Sequence, residues 1–398
     1  MKALSHGQRE ARLKSADVIV IGGGIVGSSV AYHLTEAGCR SVLVIERETH
    51  QGKGSTGKSM GGVRAQFSSI PSIRMSLYSI PFFGAFDEVM GYPGGYRPQG
   101  YLYVATNERH MAYLRENYGK QVDAGLKSVH LLKRDDVCHL VPELRSDDIA
   151  GGSFCSTDGF VDPHSVMTGF IQRAMERGAE LLRNAEVTAI NTDARGVCGV
   201  ETTQGPVAGR TIVNCAGAWA GLVAKLADVD LPVQPLRRML VPTEPFEKVS
   251  LQSPLVIDMS TGFHFRPEGL GLLLAWNDPE ETPGFKTAFD PAFIEKVLTR
   301  GVDRLPVLEE AEVNPKRAWA GLYEMTPDHH PVLGPVKSLP GFFLANGFSG
   351  HGVMHSPATG RILADLIVHG KSDLVDTEML GFDRFAAGRL VPHDAAVL

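Results

Sequence analysis

The sequence has little of what would mark a secreted, metal-centred or membrane-spanning chain. Its five cysteines, Cys39, Cys138, Cys155, Cys198 and Cys215, are odd in number and contain no C-x-x-C pair, which argues against a disulfide framework and against a zinc site. No stretch approaches the roughly 18 consecutive apolar residues of a membrane span, and Met1 to Ser15 lack the apolar segment of a signal peptide. Those residues read as a flexible N-terminal arm. There is no long basic run, and the formal charge is −6, so nothing in the electrostatics points to nucleic acid or an anionic membrane surface. A cytoplasmic protein is the expectation.

What is present is an ordinary globular composition, 43% hydrophobic and 21% charged, on a chain of 398 residues, long enough for two domains. The organising stretch is Asp17 to Gly27. A β-branched run leads straight into Gly22-Gly23-Gly24-Ile25-Val26-Gly27, a G-x-G-x-x-G turn, and the residues after it repeat at helical spacing. Strand, tight turn and helix N-terminus together form a seat for a pyrophosphate. A second strand, Ser41 to Ile45, ends at Glu46, 19 residues beyond Gly27, where a carboxylate is placed to accept hydrogen bonds from a ribose. Glu46 would repel a 2′-phosphate, and Arg47 follows it. The motif alone does not choose between FAD and NAD.

Gly52 to Ser59 matches the literal pattern of a phosphate-binding P-loop, G-x-x-x-x-G-K-S. The strand before it ends too early, at Glu46, and Met60-Gly61-Gly62 is a costly start for a helix. The segment reads instead as an extended loop, with Gly54, Ser55, Thr56, Ser59, Met60 and Gly61 against a cofactor already seated on the first turn, and with Ser55, Thr56 and Ser59 donating hydrogen bonds to it.

Further on, helices are expected over 71–88, 108–124, 133–140 and 162–176, and a strand at Tyr101 to Val104. Two strands, Glu186 to Ile190 and Thr211 to Asn214, are expected to return the chain to the first domain. Val187 of the first, and Cys215, Ala216, Gly217 and Trp219 after the second, are candidate cofactor contacts. Between Pro232 and Ala320 the strand-like runs 263–265 and 270–276 and a helix over 291–305 belong to a substrate domain. Last comes the strand Gly341 to Asn346, a second glycine turn from Gly347 through Gly350 to Gly352, and a helix from about Val353 to His369. A helix N-terminus carries roughly half a positive charge. That suits the pyrimidine edge of an anionic reduced flavin, which moves the expected cofactor from NAD to FAD.

These blocks, with the loop Gly54 to Arg64 and with Thr326-Pro327-Asp328 and Gly334, resemble the D-amino-acid oxidase-like flavoproteins. The likeness is to the branch of glycine and sarcosine oxidases, sarcosine dehydrogenase and dye-linked proline dehydrogenase, and it runs from about Asp17 to Leu380. It implies an α/β fold: a Rossmann-like FAD-binding domain (16–90, 155–230, 325–385) interleaved with an α+β substrate domain (91–154, 231–324) on a mixed or antiparallel sheet.

The activity implied is oxidation of the C–N bond of a secondary or α-amino acid, sarcosine-, proline- or glycine-like, by hydride transfer to flavin N5 followed by imine hydrolysis. Arg64 falls where the sarcosine oxidases grip the substrate carboxylate; otherwise it is an arginine on a solvated loop. Tyr323 matches a pocket-lining tyrosine, or is a half-buried structural one. His351 lies in the second glycine turn, with Val353 and Met354 beyond it, and is expected to act through its backbone, with catalysis by its imidazole as the alternative. His264 faces the pocket or is a satisfied core residue.

Three departures from the family matter. The cysteine that carries covalent FAD in monomeric sarcosine oxidases is Gly321 here, and the flavin-bonding histidine of the dimethylglycine and sarcosine dehydrogenases is Lys58 or Ser59, so non-covalent FAD is expected. The oxygen-activating lysine of the oxidases aligns with Leu273, which favours a dehydrogenase passing electrons to a quinone, an electron-transfer protein or a partner subunit over an oxidase using oxygen. The second carboxylate-binding lysine becomes Met354, which permits a larger or differently anchored substrate. The alternative is a flavoprotein subunit or assembly factor with little turnover of its own.

Overall fold

Val18–Ile21, four β-branched residues with none exposed, forms an inner strand of a six-stranded sheet in a computed structural model that describes residues 14–392. The strand order is Val332–Pro335, Phe342–Asn346, Thr211–Asn214, Val18–Ile21, Val42–Ile45, Glu180–Leu182, and every pairing is parallel except that of the first two. Along Val18–Ile21 the side chains alternate. Val18 and Val20 pack among Val30, Ala358 and Ile362 on one face, while Ile19 and Ile21 meet Ile212, Ala220 and Leu344 on the other.

The register aligns Asn214 with Ile21 and Ile21 with Ile45, so the strands end at one edge of the sheet. The glycine turn at Gly22, the Cys215-Ala216 turn and the turn after Asn346 are brought there together. Two helices leave that edge, Ile25–Glu36 and Gly352–His369. They pass so closely that a Cβ on Gly360 would sit 2.4 Å from both Ser29 Oγ and His33 Nδ1, and Ser29 Oγ donates to the Ser356 carbonyl at 2.7 Å. Only glycine permits that approach, and it holds the two helix N-termini side by side.

The second sheet has eight strands in the order Trp319–Met325, Gln234–Pro242, Gly271–Ala275, His264–Glu268, Leu255–Asp258, Tyr101–Ala105, Gly151–Cys155, Val129–Leu132. It is mixed, because Leu255–Asp258 runs parallel to Tyr101–Ala105 and the other neighbours are antiparallel. One face buries Leu102, Val241, Phe265 and Leu274 with Phe293 and Val297 of the helix Ala292–Arg304. The other face turns toward the edge of the first sheet and roofs a cleft between them.

Three expectations are corrected. Glu186 to Ile190 does not rejoin the parallel sheet: the strand, Val187–Asp193, turns at Ala194-Arg195 and pairs antiparallel with Gly196–Thr202 in a separate four-stranded sheet. A tight turn allows an antiparallel neighbour, whereas a parallel one needs a long crossover. The outer parallel strand is Glu180–Leu182, whose three residues are too few to show a period. Lys14 and Ser15, placed in the N-terminal arm, pair with Val207 and Ala208; the rest of that arm lies outside the described residues. Finally, the long strand Gln234–Pro242 was not expected, because Pro235 and two arginines interrupt its apolar pattern. Among the described residues no helix is long and apolar enough to cross a membrane.

Candidate active site

The cleft between the sheets is a single elongated cavity of about 890 Å³. Both glycine turns open into it. From the first it is lined by Gly22, Gly24, Ile25 and Val26, and from the second by Gly350, His351, Gly352, Val353 and Met354. Gly22 has φ +107°, and a Cβ there would lie 2.4 Å from the Cys215 carbonyl oxygen, so the chain passes this point only as glycine. Neither helix carries a side-chain cap on its N-cap residue, which leaves the first N–H groups of Gly352–His369 turned to the cavity wall. Gly27, Gly61 and Gly347, expected as cofactor contacts, are corrected: they stand behind the lining. A Cβ on Gly27 would meet the Gly22 carbonyl, and Gly61 and Gly347 shape turns against Val161 and Thr326.

At one end Glu46 is held rigidly. Its Oε2 accepts from Gly23 N at 3.0 Å and its Oε1 from Glu48 N at 2.9 Å, each oxygen keeping a lone pair for a hydroxyl. The Arg47 guanidinium lies 4.0 Å over the Trp219 ring, which stacks on Phe285, and Val187 closes that end with Cys215, Ala216 and Gly217.

Along the middle, Gly54, Ser55, Thr56, Lys58, Ser59 and Met60 line the wall in an extended loop holding one 3-10 turn, Thr56–Lys58, unlike the helix of a P-loop. The loop is pinned to its surroundings: Thr56 Oγ1 accepts from Ile25 N at 3.0 Å, Trp319 Nε1 donates to the Lys58 carbonyl at 3.0 Å, and Arg266 Nε donates to the Met60 carbonyl at 2.8 Å. Ser55 does not fit its expected role, since its hydroxyl donates to the Leu322 carbonyl at 2.7 Å and has no proton left for a cofactor. Thr56 and Ser59 act as acceptors in their bonds to Ile25 N and Gly61 N and retain theirs. Two N-termini, a fixed carboxylate and a long apolar cavity fit a dinucleotide carrying a ring system.

At the other end Arg64 is buried, not solvated. Its Nη2 donates to His351 Nε2 at 3.1 Å, and its guanidinium lies 4.5 Å over the Phe67 ring. A guanidinium has no acceptor, so His351 Nε2 must be bare and the proton sits on Nδ1. Burial, then the charge of Arg64, hold the His351 pKa well below the ordinary histidine value, so the ring is neutral. The imidazole therefore orients Arg64, beyond the backbone role expected of it.

His264 is both buried and on the cavity wall. Its Nδ1 donates to the Gly262 carbonyl at 3.0 Å, and burial lowers its pKa to about 4. It is thus neutral, with the Nε2 lone pair as its remaining polar atom. Tyr323 lines the same end, its ring directly under Gly350. Leu273 packs behind Leu240 and Ala275, which line the cavity, and Gly321 abuts Lys58 so closely that a Cβ would come within 2.7 Å of Lys58 Cβ.

Two residues at this end were missed. Glu324 lines the cavity, accepts from Gly347 N at 3.0 Å, and is raised by burial to about 7. Arg238, from the unexpected strand, lines the roof. Arg237-Arg238 is the one pair of adjacent arginines in the chain, a signal that was available.

A family model described as FAD dependent oxidoreductase matches residues 17–366. FAD-dependent oxidoreductase domain-containing protein 1 of Xenopus laevis is 33% identical over 417 aligned residues, 93% of this chain and 82% of that protein. Mitochondrial sarcosine dehydrogenase of Homo sapiens is 30% identical over 93% of this chain, which spans 41% of that longer protein. Among solved structures, L-proline dehydrogenase from P. horikoshii superposes with a TM-score of 0.89 at 29% identity, covering 95% of this chain and all of that one. Glycine oxidase from Geobacillus kaustophilus gives 0.82 at 26%, covering 93% and 99%.

Proposed function

The chain belongs to the FAD-dependent oxidoreductase family and takes FAD as cofactor, and on that premise we propose that it oxidises the C–N bond of a secondary or α-amino acid. The observation that carries this reading is the buried Arg64, fixed by His351 at the second glycine turn inside the cavity that holds the dinucleotide cradle. FAD supplies the hydride acceptor when bound; Gly22 to Val26, Glu46 and the N-terminus of Gly352–His369 are the groups that would hold it.

The chain's own residues then have distinct tasks. Arg64 pairs with the substrate carboxylate, a planar fork meeting a planar acceptor. The neutral His351 keeps that fork aimed without competing for the anion. The bare Nε2 of His264 accepts a hydrogen bond from the amine N–H, and its low pKa makes it a poor proton sink. The positive charge of Arg64 and Arg238 disfavours an ammonium ion in the same cavity, which selects the neutral amine, the form that can give up a hydride. The imine product hydrolyses after release.

Leu273 packs where the resemblance places the oxygen-activating lysine of the oxidases, and this favours a dehydrogenase whose electrons leave to a quinone, an electron-transfer protein or a partner subunit. The test is anaerobic mixing of the yellow protein with a panel of N-methyl and cyclic amino acids. Bleaching of the flavin band with at least one supports the reading, and inertness to all of them would replace it with a flavoprotein that serves a larger assembly.

A further inference from the structure

Arg237 and Arg238 are chain neighbours on one strand, so their side chains point to opposite faces of the roof sheet. Arg237 is fully engaged. Its Nε donates to Glu281 at 2.7 Å, its Nη1 to the Ala288 carbonyl at 2.9 Å, and Asp290 lies 4.0 Å away. Arg238 has no ion pair among the described residues. Among the described residues its Nη1 reaches only the Arg237 carbonyl, at 3.3 Å, and its buried Nε has no hydrogen-bond partner. The carboxylates whose charge reaches it are taken by others: Glu281 by Arg237 and Lys286, Asp278 by Lys296.

A guanidinium drawn from water without a counter-charge costs free energy unless something repays it. Here the group faces the cavity, 5.5 Å over the ring of Tyr323. It also sits close enough to His264 for its charge, like that of Arg64, to disfavour the imidazolium. Two guanidiniums therefore flank one neutral histidine inside the same cavity, and only the one near His351 is accounted for by a single carboxylate.

We propose that Arg238 binds a second anionic group of the substrate, so that the preferred substrate is an amino acid with two carboxylates, one on Arg64 and one on Arg238. This rests on the amine-oxidation reading above and narrows it. The loss of a second cation at Met354 is then compensated from the opposite wall of the cavity, by the roof sheet in place of the last helix.

The test separates the two claims by measuring binding without turnover. Holoprotein is titrated with methylthioacetate and with three dicarboxylates, thiodiacetate, carboxymethylthiopropionate and thiodipropionate, none of which carries an oxidisable amine, and the flavin absorbance shift is followed. The expected result is that at least one dicarboxylate binds 10-fold or more tighter than methylthioacetate. Arg238→Gln reduces that ratio to near one through loss of dicarboxylate affinity, and Arg238→Lys keeps part of it. A ratio near one in the unaltered protein for all three, or a ratio unchanged in Arg238→Gln with its flavin spectrum and melting temperature intact, overturns the proposal. Release of FAD from Arg238→Gln without a change in the ratio also overturns it and assigns the guanidinium to the cofactor. Anaerobic bleaching by sarcosine and iminodiacetate then reads the chemistry separately: tight dicarboxylate binding with no bleaching leaves the anion site standing and removes the oxidation, whereas equal bleaching by both amines with no effect of Arg238→Gln does the reverse.

Discussion

Arg64 Nη2 donates to His351 Nε2 across 3.1 Å, joining residues 287 positions apart in the chain. This bond places the Arg64 guanidinium at the N-terminus of Gly352–His369, on the same cavity wall as the second glycine turn.

On the function proposed above, replacing Arg64 with alanine removes the charged partner of the substrate carboxylate. A hydrogen bond to a charged group contributes about 1.5–3 kcal/mol, so the substrate concentration for half-maximal flavin reduction rises by roughly 10- to 100-fold on that scale. FAD content stays at that of the unaltered protein, because Arg64 lies outside the dinucleotide cradle. Stopped-flow reduction with a substrate series checks both, and an unchanged concentration dependence removes Arg64 from the site.

Acid precipitation should release all of the flavin into the supernatant. Gly321 presents no nucleophile and has no space for one beside Lys58, and no cysteine in the chain follows Cys215. Yellow colour retained in the pellet after trichloroacetic acid would contradict this.

Glu324 makes a pH-dependent contribution of definite sign. Its pKa is raised by burial from about 4.5 to about 7 in the folded protein. The folded state therefore binds more protons between those values, and stability falls as pH rises through that window. Glu324→Gln keeps a carbonyl for Gly347 N and does not ionise. Relative to this variant, the unaltered protein should lose melting temperature from pH 4.5 to 7 and level off above, the total difference reaching at most about 3.5 kcal/mol at 1.4 kcal/mol per unit. A pH-independent difference would show that folding does not raise the Glu324 pKa.

Gly22→Ala forces a Cβ to 2.4 Å from the Cys215 carbonyl at a φ of +107°. Overpacking and backbone strain together cost about 2–6 kcal/mol. The turn should open, with loss of bound FAD on gel filtration and a lowered melting temperature. Gly217→Ala, also at positive φ but with no atom within 4 Å of its added Cβ, should cost less and retain more flavin.

The roles of local pattern and of tertiary structure can be told apart residue by residue. The dinucleotide cradle was legible because it is local: strand, glycine turn, helix and Glu46 are separated by spacings that chain geometry fixes, and Val18–Ile21 announces itself by β-branching. The second glycine turn was legible for the same reason, and its likeness to the first pointed to a shared ligand. The strand at Val187 was misplaced because a single strand's side-chain pattern does not state its partner; the tight turn after Asp193 decided that. His264 could not be settled from sequence, since core and cavity wall are equally buried, and only the alternation of His264 and Phe265 across the roof sheet puts one in each.

The arginine pair Arg237-Arg238 is visible in the sequence, but the position of Arg238 is not, for a deeper reason. An arginine pair in sequence gives no account of which member meets Glu281 and which is left facing a cavity, and that assignment is set by strand register with Trp319–Met325. Two helix ends offered to a dinucleotide are readable along the chain, because glycine spacing and β-propensity act over a few residues. Which charges face the cavity emerges only in three dimensions, because burial and pairing of a guanidinium depend on side chains that are distant along the chain.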